Sequence, residues 1–186
     1  MRLPLLNRSS ASFLRVHRPA GWIVAALLGA MLGMQPAMAQ DPLVGAEYRK
    51  VQQLMGSGNL TGATQAADAW LAANPRDPQM RMLKSRILTA QGQKDQARAV
   101  LVALTQEYPE IPEPFNNLAV LYAESGELGL ARESLEAALR SNPGYATALE
   151  NLGDVYRRMA HDSYSRALAL QPGNAALRAK LAAAGS

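Results

Sequence analysis

Cysteine is absent from the 186 residues, and histidine, tryptophan and phenylalanine occur only twice each. Without cysteine there is no disulfide, no thiolate metal site, no thiol nucleophile and no N-terminal cysteine for lipid attachment. Only one of the two histidines, His161, lies beyond residue 40, so any histidine-based triad or metal site in the body of the chain rests on it alone. Its neighbours Asp162 and Ser163 do not make a triad, because consecutive helical residues point about 100° apart. Gly-x-Ser-x-Gly, phosphate-loop and His-Glu-x-x-His patterns are all missing. Gly56-Ser57-Gly58 is too short to cradle a phosphate. Glu133 and Glu136 are adjacent carboxylates on an exposed helical face, as solvated helices carry them. The sequence points away from an enzyme and names no catalytic residue, no metal ligand and no cofactor.

The first forty residues also lack acid. They hold Arg2, Arg8, Arg15 and Arg18, then an uncharged apolar run from Trp22 to Met34, then Ala37-Met38-Ala39. A basic region, a short apolar core and a small-x-small site form the pattern of an export signal, and the core is short for a membrane span. Cleavage is expected after Ala39, releasing residues 40–186 to the periplasm. No Arg-Arg pair is present, which favours the general secretion route over the twin-arginine route. The alternative is an uncleaved anchor or a buried N-terminal helix, and only then is a membrane among the partners. Removing the four arginines matters for charge: 19 basic and 15 acidic residues become 15 of each. The isoelectric point near 9.6 therefore belongs to the whole chain. It gives no support to nucleic-acid binding by residues 40–186.

What the chain does have is a period. Pro75, Pro109 and Pro143 recur at a constant step of thirty-four positions. Gly58, Gly92 and Gly126 keep the same step, as do Ala63, Ala97 and Ala131. Within each period, apolar residues at steps of 3 and 4 mark two helical faces, divided by the glycine and closed by the proline. The clearest unit is Pro112–Pro143. Phe115, Leu118, Ala119 and Tyr122 share one face there, and Ala131, Leu135 and Ala138 the other. One helix pair buries too little surface to stand alone, so the pairs should stack.

These positions resemble the tetratricopeptide repeat family over nearly all of residues 40–186. Phe115, Leu118, Ala119, Tyr122, Ala131, Leu135, Ala138 and Pro143 fill its pattern. So do Leu149, Leu152, Gly153, Tyr156, Ala160, Tyr164, Ala167 and Pro172. The first two units match mainly in their second helices, through Ala97, Leu101, Leu104 and Pro109, and through Ala63, Ala67, Trp70 and Pro75. Trp70 is expected to pack between units. The resemblance implies an all-α solenoid, a right-handed superhelix of about four repeats, at 44–77, 78–111, 112–145 and 146–174, plus a capping helix at 174–183. Helices are predicted at 43–56, 60–73, 79–91, 94–107, 113–125, 128–141, 145–158, 160–170 and 174–183. Asp41-Pro42 and Asp77-Pro78 read as N-cap and first helical position, and Asn174 as the cap of the last helix.

The fourth unit departs from the pattern. The interval from Tyr122 to Pro143 contracts by five positions in its counterpart, Tyr156 to Pro172. Either a hairpin turns tightly at Ala160-His161-Asp162, or one helix runs from about 145 to 170. The absence of Gly and Pro between Asp154 and Gln171 suits the single helix. The preserved Ala160, Tyr164 and Ala167 tip the balance slightly to the hairpin.

The resemblance also implies a groove lined by the first helices, commonly a site for a peptide or a partner helix. Here it would be lined by Tyr48, Gln52, Met55, Met82, Arg86, Thr89, Asn116, Val120, Ala123, Glu150, Asp154 and Arg157. Asn117 and Asn151 stand where family members often bond ligand backbone. Val120 departs from the clamp that some members close on a terminal carboxylate. The expected activity is that of a protein-interaction scaffold of the cell envelope. A homo-oligomerising or membrane-tethered assembly module is the alternative.

Overall fold

The computed structural model describes residues 42–185, all in helices or the turns between them, with no strand among them. The expected export segment and Asp41 lie outside the described residues. Eight helices follow in order: α1 Pro42–Gly56, α2 Leu60–Ala73, α3 Pro78–Ala90, α4 Lys94–Glu107, α5 Pro112–Glu124, α6 Leu128–Ser141, α7 Ala146–Leu170 and α8 Ala175–Gly185. Each helix packs on the next, and α1 on α3 and α5 on α7 also touch, so first helices line up along the stack. This is the nearest-neighbour architecture of an α-solenoid.

Local chemistry sets the boundaries. Asn59 caps α2 by accepting the Gly62 N–H at 2.9 Å, Asp77 caps α3 through Met80 N–H at 3.0 Å, and Asn174 caps α8 through Leu177 N–H at 3.1 Å. Pro78 and Pro112 open α3 and α5, where no N–H is needed. The turns inside the first three units place Gly58, Gly92 and Gly126 at φ of 77°, 77° and 78°. A side chain there is strained, which explains why the glycine recurs.

The repeat packs as columns of equivalent positions. Ala63, Ala97 and Ala131 are buried, as are Ala67, Leu101 and Leu135 on the following turn of the second helices. Among first helices, Val51, Ser85 and Ala119 are buried in successive units. Three apolar clusters result, and Tyr122 belongs to two of them. Leu118 joins the cluster toward α4, while Leu135 and Ala138 join the one toward α7. Polar ties between units repeat at a fixed offset. The Tyr108 hydroxyl donates to the Arg76 carbonyl at 2.5 Å, and Ser141 Oγ donates to the Pro109 carbonyl at 2.9 Å. Arg81 makes a bidentate pair with Glu107 at 2.8 and 3.0 Å.

The fourth unit corrects the expected hairpin. α7 is one unbroken helix of 25 residues, and no turn forms at Ala160-His161-Asp162. The other turns use a positive-φ glycine, and the contraction removes that position here. With nothing to break it, the helix continues. α8 then folds back along the distal half of α7: Lys180 lies 5.8 Å from the Tyr164 ring centre, and a Cβ added at Gly185 would meet His161 at 3.5 Å.

Candidate functional site

First helices α1, α3, α5 and α7 bring most of the expected groove residues together. One cleft of about 360 Å³ is bordered by Gln52, Met82, Arg86, Ile111 and Glu113. A second, of about 590 Å³, is bordered by Met55, Met82, Arg86, Thr89, Asn117, Val120 and Tyr145. They share Met82, Arg86 and Glu113, so they form one trough. Val120 continues it into a third hollow of about 240 Å³, with Ala123, Asn151, Asp154 and Arg157.

Three expected residues have other partners or positions. The Tyr48 hydroxyl donates to Asp77, and its ring lies 5.9 Å from that of Trp70, tilted by 57°. Trp70 Nε1 donates to the same carboxylate at 2.7 Å, which puts Trp70 between units as anticipated. Burial and the bond to Asp77 push the Tyr48 phenol well above the usual tyrosine range. Asn116 is only 4% exposed, and its Oδ1 accepts from Asn151 Nδ2 at 2.8 Å. Its own Nδ2 faces Asn117 Oδ1 at 3.4 Å, and Asn117 Nδ2 lies 3.1 Å from Met82 Sδ. These amides make a ladder between first helices, with Asn117 and Asn151 at the trough. Glu150 is exposed and lines none of the three hollows.

Glu113 and Tyr145 are among the lining residues that escape the sequence reading. Tyr145 is the N-cap residue of α7 and enters the same cleft as Met55 of α1. Partial burial, with Glu113 nearby, raises its phenol above the ordinary value. The signal that could have found it is positional. Asp77, Ile111 and Tyr145 occupy one column of the repeat, as N-caps of α3, α5 and α7.

Arg86 is the cation of the two larger hollows. It is exposed, and no hydrogen bond or ion pair engages it among the described residues, although Glu113 borders the same space. The trough thus offers two methionine thioethers, an unengaged guanidinium, an aromatic edge and amide groups. Adaptable apolar contacts beside a few hydrogen-bonding groups can accept a peptide or a helix. Among the described residues no group of three or more His, Asp and Glu could hold a metal ion, and no helix is long and apolar enough to cross a membrane.

A trough built by the first helices of a regularly repeating helix pair defines a class of protein, the superhelical interaction arrays. Tetratricopeptide repeat models match residues 54–121 and 116–158, and the chain belongs to that family. A TPR repeat-containing protein of Bacillus subtilis, YvcD, is 38% identical over 69 residues, which is 37% of this chain and 14% of that one. The chain therefore corresponds to a small part of that relative. Among solved structures, TTC0263, a thermophilic TPR protein of Thermus thermophilus, aligns with 26% identity and a TM-score of 0.56, over 75% of this chain and 80% of the other. The first TPR of Spaghetti (RPAP3), bound to an HSP90 peptide, shares the fold at 13% identity and a TM-score of 0.56, over 62% of this chain and 91% of the other.

Proposed function

We propose that this chain is an exported scaffold which holds a peptide or helix of a cell-envelope protein in the trough formed by α1, α3, α5 and α7. The observation that carries the reading is the continuity of that trough, with Arg86 unengaged at its centre. A guanidinium with no internal partner is available to a carboxylate or carbonyl of a ligand, and the flanking Met55, Met82 and Val120 supply apolar contact. The peptide-bound Spaghetti domain lends support at the level of fold. The periplasmic setting rests on the sequence of the first forty residues.

The test is comparative capture from an envelope extract. Wild-type protein is compared with an Arg86→Glu, Val120→Arg double variant, both positions being exposed. The variant should keep its helicity and lose the captured partner by about tenfold or more, as expected when a charge contact is reversed (about 1.4 kcal/mol is tenfold). Equal recovery by both proteins would remove the trough from consideration.

A further inference from the structure

Among the described residues, one position of the stack is left uncovered. In each of the first three units a second helix covers the first, and the small residue at its centre is buried: Val51, Ser85, and Ala119 at 1% exposure. The fourth member of that column, Gly153, is exposed. Its neighbours on the same face are Leu149, 52% exposed, and Tyr156, 48% exposed. Their equivalents Phe115 and Tyr122 pack into the core beneath α6. The first half of α7 therefore keeps an uncovered apolar face beside α6, the slot that a second helix fills in the other units, and there the Tyr156 hydroxyl lies 3.4 Å from Glu136.

The segment suited to this slot is present in the same chain but out of reach. Residues 160–173 repeat the register of 131–144: Ala160, Tyr164, Ala167 and Pro172-Gly173 stand for Ala131, Leu135, Ala138 and Pro143-Gly144. Ala131, Leu135 and Ala138 are fully buried, whereas Ala160, Tyr164 and Ala167 are only half-buried. Because α7 is continuous, this segment projects along the helix axis, roughly 18 Å beyond the first half at about 1.5 Å per residue. α8 cannot substitute for it. It folds back from Leu170 over about 16 Å and ends near His161, where Gly185 is found, short of Tyr156.

We infer that a second copy of this chain fills the slot, and that two copies exchange their 160–170 segments about a twofold axis. Each projecting segment lies in the other copy's slot as α6 lies on α5, extending the existing stack by one layer. α8 keeps its place on the far side of the segment, as α7 does on α6. Such reciprocal exchange is a low-cost route to a closed dimer, and here no hinge has to open. A helix about 16 Å long and about 10 Å wide presents on the order of 250 Å² of flank to a slot. Two insertions, counting both surfaces, cover on the order of 1,000 Å², which reaches the lower edge of specific interfaces. The inference is independent of the trough and of export.

Gly153 supplies the test. A Cβ added there meets nothing within 4 Å, so substitution leaves one copy undisturbed. The protein isolated from cells expressing the full chain is examined by sedimentation equilibrium over about a hundredfold range of concentration, since dimer population follows mass action. Wild type and Gly153→Ala should show twice the mass of one chain, because the equivalent Ala119 fits under a helix. Gly153→Glu should weaken the dimer at least tenfold with unchanged circular dichroism. Tyr164→Ala, which truncates the inserted segment and leaves α7 helical, should weaken it similarly. A wild type that stays monomeric across the range overturns the proposal. So does a dimer indifferent to Gly153→Glu. A dimer lost with Gly153→Glu but unaffected by Tyr164→Ala would mean slot-to-slot packing and would overturn the exchange.

Discussion

Replacing Asp77 with alanine should cost this small array about 3 kcal/mol, a large share of the stability of a domain this size. The carboxylate serves three donors from three helices or their ends: the Tyr48 hydroxyl, Trp70 Nε1 at 2.7 Å and Met80 N–H at 3.0 Å. The Met80 bond is the N-cap of α3, and losing such a cap costs typically about 1 kcal/mol. The other two bonds join α1 and α2 to the start of α3. A bond to a charged group is worth about 1.5–3 kcal/mol when buried, and partial exposure here reduces each to about 1 kcal/mol. For a chain of this length, about 3 kcal/mol lowers the melting temperature by roughly 6–12 °C. Asp77→Asn keeps an acceptor at the cap and should lose about half as much. Thermal and urea unfolding followed by circular dichroism measure both. A loss below about 1 kcal/mol for Asp77→Ala, or equal losses for the two variants, would refute the reasoning. Acid provides a second check. Partial burial works against the Asp77 charge, but the bonds from Tyr48, the Met80 N–H and Trp70 outweigh it and hold the carboxyl below its usual range. The stabilisation is thus fully present above the unfolded aspartate value of about 3.9 and is lost as pH falls through the lower folded value. The gap between wild type and Asp77→Ala should be constant from about pH 5 to about pH 9 and should narrow below about pH 4.

The alkaline limb tests the other end of that bond. Tyr48 holds its proton more tightly folded than unfolded, so its contribution persists below about pH 10 and disappears as pH rises through the folded value. Urea titrations at about pH 9 and about pH 11 should show a steeper stability loss for wild type than for Tyr48→Phe; parallel losses would mean that Tyr48 is not coupled to folding. Leu135 is wholly buried between α5 and α7. Leu135→Ala should cost about 3 kcal/mol in the same assay, and a loss under about 1 kcal/mol would show that the third unit is not the centre of the stack.

Periodic side chains make the architecture legible without coordinates. The sequence places the six helices of the first three units to within one position at each end, because prolines, positive-φ glycines and capping side chains act locally. The fourth unit is where that reasoning fails. Ala160, Tyr164 and Ala167 keep the family register, and the register argues for a hairpin. A hairpin, however, needs a residue able to reverse the chain, and Asp154 to Gln171 offers none. The trough is readable as a face but not as a set of free groups. Tyr48 and Asn116 sit at groove-facing positions in the period, yet their partners Asp77 and Asn151 lie roughly one full repeat away along the chain. Helical spacing assigns a side chain to a side of the helix and says nothing of which neighbour takes up its hydrogen bonds. Tyr145 escapes notice because it falls at the predicted helix start, outside the groove-facing stripe; in the structure it is the N-cap of α7, and the stacking of successive units brings it to the cleft.

The trough and the terminal slot use different sides of the same helix. At about 100° per residue, Leu149, Gly153 and Tyr156 share a sector of α7, and Asn151 and Asp154 fall roughly opposite. A segment lying in the slot covers the first set, and a ligand in the trough touches the second. Neither occupant has to displace the other, and the ladder from Asn151 through Asn116 to Asn117 holds α7 in register whether or not the slot is filled. A contraction that looks like decay of the repeat therefore leaves the trough-lining face of the fourth unit in place. It also leaves residues 160–170 outside the packing that 131–141 find in the third unit, so the proposed contact between copies and the proposed ligand make separate demands on α7 and can be tested independently through Gly153 and Arg86.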